Sequence, residues 1–313
     1  MGAQRMTVLY RSDVARGPAW QQLFAQLVPD VDFRVWPDAG NLDEIEYLIA
    51  WQVPPDFIAA LPRLKVLFSS GAGVDHIDTS AIPSHISIVR MVEPGIVNGM
   101  LEYVSMSVLA LHRHLFEYQE FQRQGLWQPI EVYPPSTCSV GVMGLGVLGQ
   151  AVLDRLGVFG FTRLGWNRSP RSLPGVRCFD GDGTLNEFLG QCDILICLLP
   201  LTDATRGILG ARLFAALPAG SALLHVGRGG HLDQEALLDA LDSGHLKRAV
   251  LDVCDPEPLP TDHPLWRHPR VVLTPHVASM TQPETAVPVL LENLRRHQRG
   301  EALLDQIDRS NGY

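Results

Sequence analysis

Three polar residues stand just past apolar runs in the second half of the chain: Arg228 in ALLHVGRGG, Glu257 in AVLDVCDPEP and His276 in VVLTPHVAS. An arginine fork holds a carboxylate and polarises a ketone, and a histidine delivers a proton near neutral pH. A glutamate within hydrogen-bond range of that histidine favours its imidazolium form. Each residue also has an ordinary role open to it: Arg228 as a surface charge, Glu257 as a loop carboxylate, His276 as a buried histidine bonded to backbone. Taken in order they form a candidate set for proton transfer to a carbonyl oxygen.

Upstream, GVMGLGVLGQAVLDRLG places Gly144, Gly146 and Gly149 in G-x-G-x-x-G order, directly after the apolar run SVGVM and at the head of an amphipathic stretch. The first glycine permits a tight turn, the second admits a pyrophosphate to the backbone, and the third lets helix and strand pack closely. Val147 and Leu148 then open a helix whose free N–H groups and positive dipole end attract phosphate. About twenty residues further on, where an acid would bind a ribose 2'-hydroxyl, the chain reads GWNRSPR. Asn167 removes a repulsion, Arg168 and Arg171 add charge-assisted donors, and Ser169 adds a hydroxyl. The expected cofactor is NADP(H), preferred over NAD(H).

These groups need a scaffold that brings strand ends together. Short apolar runs alternate with helical patterns almost throughout, the signature of a parallel sheet flanked by helices, so the fold class is α/β. Expected strands in the first hundred residues are 7–10, 32–36, 47–50, 66–69 and 86–89. A long helix over 99–116 follows, then a second series of strands: SVGVM, RLGW, ILICLL, ALLHV, AVLDV and VVLTP. A last helix covers about 282–300. The expected architecture is two doubly wound parallel-sheet domains, with a Rossmann cofactor domain (101–276) inserted into a smaller flavodoxin-like substrate domain. The first part of that smaller domain is 1–100, and 277–313 returns to it. Ligands in such sheets bind outside the carboxyl ends of the strands, where Arg228, Glu257 and His276 stand.

In the first series, GAGVDH follows the run VLFSS, and the backbone N–H groups around Ala72, Gly73 and Val74 form a candidate nest for a substrate carboxylate. Trp51 and Trp127 are candidate pocket walls, with plain packing as the alternative for each. His112 and His114 lie two apart on a helix and diverge, and no metal is expected.

Apolar residues make up 46% and charged residues 19%, a composition that folds. Twenty-five Lys and Arg stand against 34 Asp and Glu, and the net charge of −9 excludes nucleic acid as a partner. The five cysteines lack Cys-x-x-Cys spacing, which fits a reducing compartment. The N-terminal MGAQRMTVLYRSD carries no signal-peptide core, and no stretch approaches a membrane span, so the expected location is cytoplasmic.

Several longer stretches carry a resemblance: GAGVDH, NGMLEYV, GLGVLG, LLPLTDATRGIL, GRGG, LDSGHLKRAVLDV, EPLP, PLWRHPRVVLTPH and the final DRSNGY. By these the chain resembles the D-isomer-specific 2-hydroxyacid dehydrogenase family nearly end to end, most closely its glyoxylate/hydroxypyruvate reductase A group. The resemblance implies Arg228 as substrate-binding catalytic residue, His276 as general acid/base and Glu257 as its partner. It implies cofactor contacts from Leu199, Pro200, Thr205, Val226 and Asp252, the last toward the nicotinamide amide. It also implies a homodimer, with Trp127 in a dimerisation segment that reaches the neighbouring subunit's site. Two positions depart from the family pattern: His225 replaces an asparagine three residues before Arg228, and Ala278 replaces a glycine. His225 is either an extra base or a support for its loop. The expected activity is NADPH-dependent reduction of small 2-oxo acids such as glyoxylate and hydroxypyruvate. The alternatives are a cofactor-binding sensor with little turnover, a dehydrogenase for a bulkier 2-oxo acid, and formate or phosphite oxidation.

Overall fold

The computed structural model describes residues 6–309; the first five residues of the N-terminal stretch and the last four of DRSNGY lie outside them. The chain divides into two units, one of Met1–Ile96 with Met280–Tyr313 and one of Val97–Ser279. Both are α/β with parallel sheets.

The first unit holds five strands: β1 (Thr7–Arg11), β2 (Asp32–Val35), β3 (Tyr47–Ala50), β4 (Val66–Ser69) and β5 (Ser87–Val89), in the order β2-β1-β3-β4-β5. This is the flavodoxin-like order. Its helices are α1 (Gly17–Leu27), α2 (Pro55–Ala59) and the returning α9 (Pro283–Gln298). Alternate residues of the strands face opposite cores. Leu9, Leu48, Leu67 and Ile88 join one cluster with Ile58 and Leu61, while α1 buries Trp20 and Phe24, which stacks on Phe33 with centroids 4.2 Å apart.

The second unit holds β6 (Ser139–Met143), β7 (Thr162–Asn167), β8 (Arg177–Asp180), β9 (Ile194–Cys197), β10 (Ser221–His225), β11 (Leu246–Leu251) and β12 (Val271–Leu273). Their order is β12-β11-β10-β9-β6-β7-β8, the Rossmann arrangement with one further strand. Helices α3 (Pro94–His112), α4 (Leu115–Gln124), α5 (Val147–Val158), α6 (Asp182–Leu189), α7 (Ala211–Ala216) and α8 (Gln234–Asp242) complete the described α-helices, the first turn of α3 lying across the division. Ile194, Ile196, Leu224 and Val250 pack against Val104 and Val108 of α3 and Val152 and Leu156 of α5. On the other face, Leu195, Leu223 and Leu251 meet Phe188, Phe214 and Leu237. Burial on both faces is why these strands read as unbroken apolar runs.

The division falls at 96/97 and 279/280, a few residues from the expected 100/101 and 276/277. Residues 277 and 278 stay with the second unit because Val277 and Ala278 donate their N–H groups to Asp252. The expected helix over 99–116 is two helices: it starts five residues earlier, and the chain turns at His114, whose φ of 56° breaks the spiral. Strand β8 is an addition, an edge strand in which only Phe179 is buried. Among the described residues α3, with 19 residues and a mean hydropathy of 1.2, is long and apolar enough to cross a membrane by length and composition alone. Val104, Val108 and Leu111 of this helix are core residues of the second unit.

Candidate active site

The turn from β6 into α5 is shaped as a phosphate cradle. Gly144 has φ 100°, and its N–H donates to Trp166 O at 2.9 Å. A Cβ there would come within 2.6 Å of the Leu198 carbonyl, and one on Gly149 would overlap the Gly144 carbonyl oxygen. Nothing lies within 4 Å of the Cβ position on Gly146, so the space beside the N-terminus of α5 is open. Gly146 caps that helix without a side chain, Val147 is exposed and Leu148 half-buried. The first-turn amides therefore face the opening, as an anion requires. These residues fit a dinucleotide pyrophosphate.

Asn167 ends β7 beside this turn. Its Oδ1 accepts from Leu145 N–H at 3.3 Å and its Nδ2 donates to Ser169 O at 3.0 Å. The neutral side chain thus ties the glycine turn to the loop that carries Arg168, Ser169 and Arg171, all exposed.

At the far ends of β11 and β12, His276 Nδ1 lies 2.8 Å from Glu257 Oε2. Glu257 Oε1 accepts from Cys254 N–H at 3.1 Å. Burial pushes the Glu257 carboxyl up, but the hydrogen bonds from His276 and Cys254 and the charges of His276 and Arg228 outweigh it and hold it below the usual range. Glu257 is therefore an anion facing His276, and Arg228 is close enough to act on it.

His276 has φ 55°, the left-handed region, which a non-glycine residue adopts only when its surroundings enforce it. The enforcing group is Asp252. Its carbonyl accepts the His276 N–H at 2.8 Å. Its carboxylate accepts from Thr274 Oγ1 at 2.6 Å, Val277 N–H at 2.9 Å and Ala278 N–H at 2.8 Å. Because the Thr274 hydroxyl gives its hydrogen to Asp252, it accepts the one from Tyr103 Oη at 2.6 Å. Burial first, and the nearby Asp252 charge, push the Tyr103 hydroxyl up to about 12, so it keeps that hydrogen. The resemblance does not imply this holding role for Asp252, and Tyr103 and Thr274 were not among the expected site residues.

Arg228 follows β10, half-buried and extended, with Nη1 donating to Gly227 O at 2.8 Å. Leu199 and Val226 are buried after β9 and β10. Thr205 Oγ1 donates to Pro200 O at 2.7 Å and accepts from Thr202 N–H at 2.9 Å, which closes the 200–205 loop on itself.

In the first unit, Ser69 Oγ donates to Gly73 O at 2.8 Å and shapes the 71–74 loop. The N–H groups of Ala72, Gly73 and Val74 have no hydrogen-bond partner among the described residues. Trp51 stacks on His76 at 3.7 Å and 12°, and a Cβ on Gly71 would meet its ring at 2.7 Å, so the indole lies over this loop. Trp127, in the second unit, is fully exposed (101%), and Leu126, Val132 and Tyr133 near it in sequence are exposed too. Among the described residues one buried trio, Cys197, His225 and His231, has ligand atoms within 4.8 Å of one another, an arrangement that sequence spacing does not reveal.

Residues 105–278 match the family model for the NAD-binding domain of D-isomer-specific 2-hydroxyacid dehydrogenases. The chain belongs to that family. The glyoxylate/hydroxypyruvate reductase A of Salmonella paratyphi B is 38% identical over 98% of this chain and all of its own length. A Xanthobacter autotrophicus D-isomer-specific 2-hydroxyacid dehydrogenase, solved with NADPH and MES, superposes with a TM-score of 0.94 at 38% identity, over 99% of this chain and all of that one. The NADPH-dependent glyoxylate/hydroxypyruvate reductase of Sinorhizobium meliloti, solved with NADP and sulfate, gives 0.92 at 33% identity, over 98% of this chain and all of its own.

Proposed function

We propose that this family member reduces small 2-oxo acids, glyoxylate and hydroxypyruvate first among them, to 2-hydroxy acids with NADPH. The observation that carries the reading is the 2.8 Å His276–Glu257 pair with Arg228 in range, in the same unit as an open glycine cradle. The relatives' names and bound cofactor support the substrate class and NADP(H) over NAD(H).

When bound, NADPH supplies the hydride for the keto carbon. Arg228 holds the substrate carboxylate and polarises the ketone, and His276, oriented by its hydrogen bond to Glu257, gives its proton to the carbonyl oxygen. Gly144, Gly146, Val147, Leu148 and Gly149 receive the pyrophosphate, and Asn167, Arg168, Ser169 and Arg171 the 2'-phosphate. Leu199, Pro200, Thr205, Val226 and Asp252 complete the cofactor contacts. Ala72, Gly73, Val74, Trp51 and Trp127 are assigned to the substrate. The chain works as a cytoplasmic homodimer, and the exposed apolar residues around Trp127 support that assembly.

The test is a panel of 2-oxo acids against both cofactors, read as kcat/KM ratios at 340 nm. Consumption of NADPH with glyoxylate or hydroxypyruvate, abolished in Arg228→Ala and His276→Ala, is expected. No turnover across the panel, or normal activity in either variant, overturns the reading.

A further inference from the structure

His225 ends β10 and His231 follows Arg228 by three residues; both side chains are fully buried. His225 Nε2 lies 2.8 Å from the Arg228 carbonyl oxygen. A carbonyl only accepts, so this nitrogen carries the hydrogen. On the other side, Arg228 N–H donates to His231 Nδ1 at 3.0 Å, and His231 Nε2 donates to Pro200 O at 3.2 Å. Both imidazoles are thus neutral, in the same Nε2–H tautomer, and each engages one polar group of the Arg228 main chain. Glycines make the close approach possible: a Cβ on Gly227 would stand 2.9 Å from His231 Nδ1, and one on Gly229 would overlap the Cys254 carbonyl oxygen.

We propose that His225 and His231 are positioning residues that grip the Arg228 main chain from both sides and fix the direction in which its guanidinium projects. The inference rests on Arg228 being the substrate-binding arginine. A guanidinium carbon sits about 6 Å from its own backbone, so a backbone swing of about 10° displaces it by ~1 Å, and such a misplacement costs up to about 100-fold in rate. Burial first, with the Arg228 charge nearby, holds His225 neutral, down to about 3, so protonation does not loosen the grip.

The same histidines and Cys197 form the buried trio of potential metal ligands. Both His231 nitrogens are already committed to backbone, however, and burial pushes the Cys197 thiol up to about 12. That leaves too few donors for a closed four-ligand site.

The experiment compares His225→Leu, His225→Gln and Arg228→Ala with the wild type, measuring kcat/KM for glyoxylate, KM for NADPH and melting temperature. His225→Leu is expected to lose about 10- to 100-fold in kcat/KM for glyoxylate while KM for NADPH stays within about twofold. His225→Gln, whose amide restores the donor, recovers to within about fivefold of wild type. Equal defects in Leu and Gln, a matching loss of NADPH binding, or full activity of His225→Leu beside an inactive Arg228→Ala overturns the grip alone. A fully active Arg228→Ala instead overturns the functional reading beneath it. Nitrogen-15 NMR of the wild-type histidines at neutral pH serves if His225→Leu does not fold: two neutral Nε2–H rings are expected, and an Nδ1–H tautomer or stoichiometric copurifying zinc overturns the proposal.

Discussion

Acidification should destabilise this protein through His225 in a way that one substitution removes. In the unfolded chain an imidazole takes up a proton below about pH 6.5. In the folded chain burial holds His225 neutral down to about 3. Between those values the unfolded state binds a proton that the folded state refuses, so stability is complete above pH 6.5 and falls as the pH drops. At pH 5 the gap is about 1.5 pH units, and at about 1.4 kcal/mol per unit the loss is about 2 kcal/mol. For a cooperative unit of this size that corresponds to roughly 4–8 °C in Tm. The assay is thermal unfolding by circular dichroism at pH 7.5 and pH 5, on wild type and His225→Gln. His112 and His297, also held low chiefly by burial, titrate equally in both proteins and cancel in the comparison. The wild type should lose about 2 kcal/mol more than the variant over this interval. Equal losses would refute both the neutral buried state and the hydrogen-bond assignment built on it.

Arg168→Glu or Arg171→Glu should each lower the NADPH to NADH ratio of kcat/KM by about tenfold or more, the value of one charge-assisted bond, read in parallel assays. Asn167→Asp should lower the same ratio, and should also keep the bond from Leu145 N–H, so Tm stays near the wild-type value. Thr274→Val leaves Tyr103 and Asp252 each short of a partner; a loss of about 1–3 kcal/mol in urea unfolding is expected, with a fall in kcat as the His276 loop relaxes. Glu257→Gln should cut kcat, and its Tm deficit should be full at pH 7. Because the folded carboxyl is held below its ordinary value, the deficit should close as the pH falls below about 4.

The parts of the fold that were legible are those whose local pattern is the tertiary pattern. Strands such as β9 and β10 are buried on both faces, so ILIC and the ALL of SALLH are apolar throughout. β8 was not legible because an edge strand needs few apolar residues, and RCFD buries only Phe179. The break at His114 carries no glycine or proline to announce it. At the site, Arg228, Glu257 and His276 were legible because strand ends converge in this architecture whatever the details. The grip on Asp252 was not, since Tyr103 and Thr274 stand 171 residues apart and meet only in the folded chain. His231 was equally hidden: a histidine after two glycines has no pattern that distinguishes a backbone acceptor from a surface ring.

Helix α9 gives the chain a direction in time. Its Val287, Leu290, Leu291 and Leu294 are core residues, α9 packs on α1, Ile307 N–H donates to Ile88 O at 3.0 Å, and Arg309 bonds the Ile82 carbonyl at 2.6 Å. During synthesis the first five strands emerge early but wait for residues past 280 before their sheet is covered, while 97–279 are already complete. A chain ending near 280 would therefore hold every strand of the cofactor unit but leave the first sheet without α9, the kind of incomplete species that exposes apolar surface and aggregates.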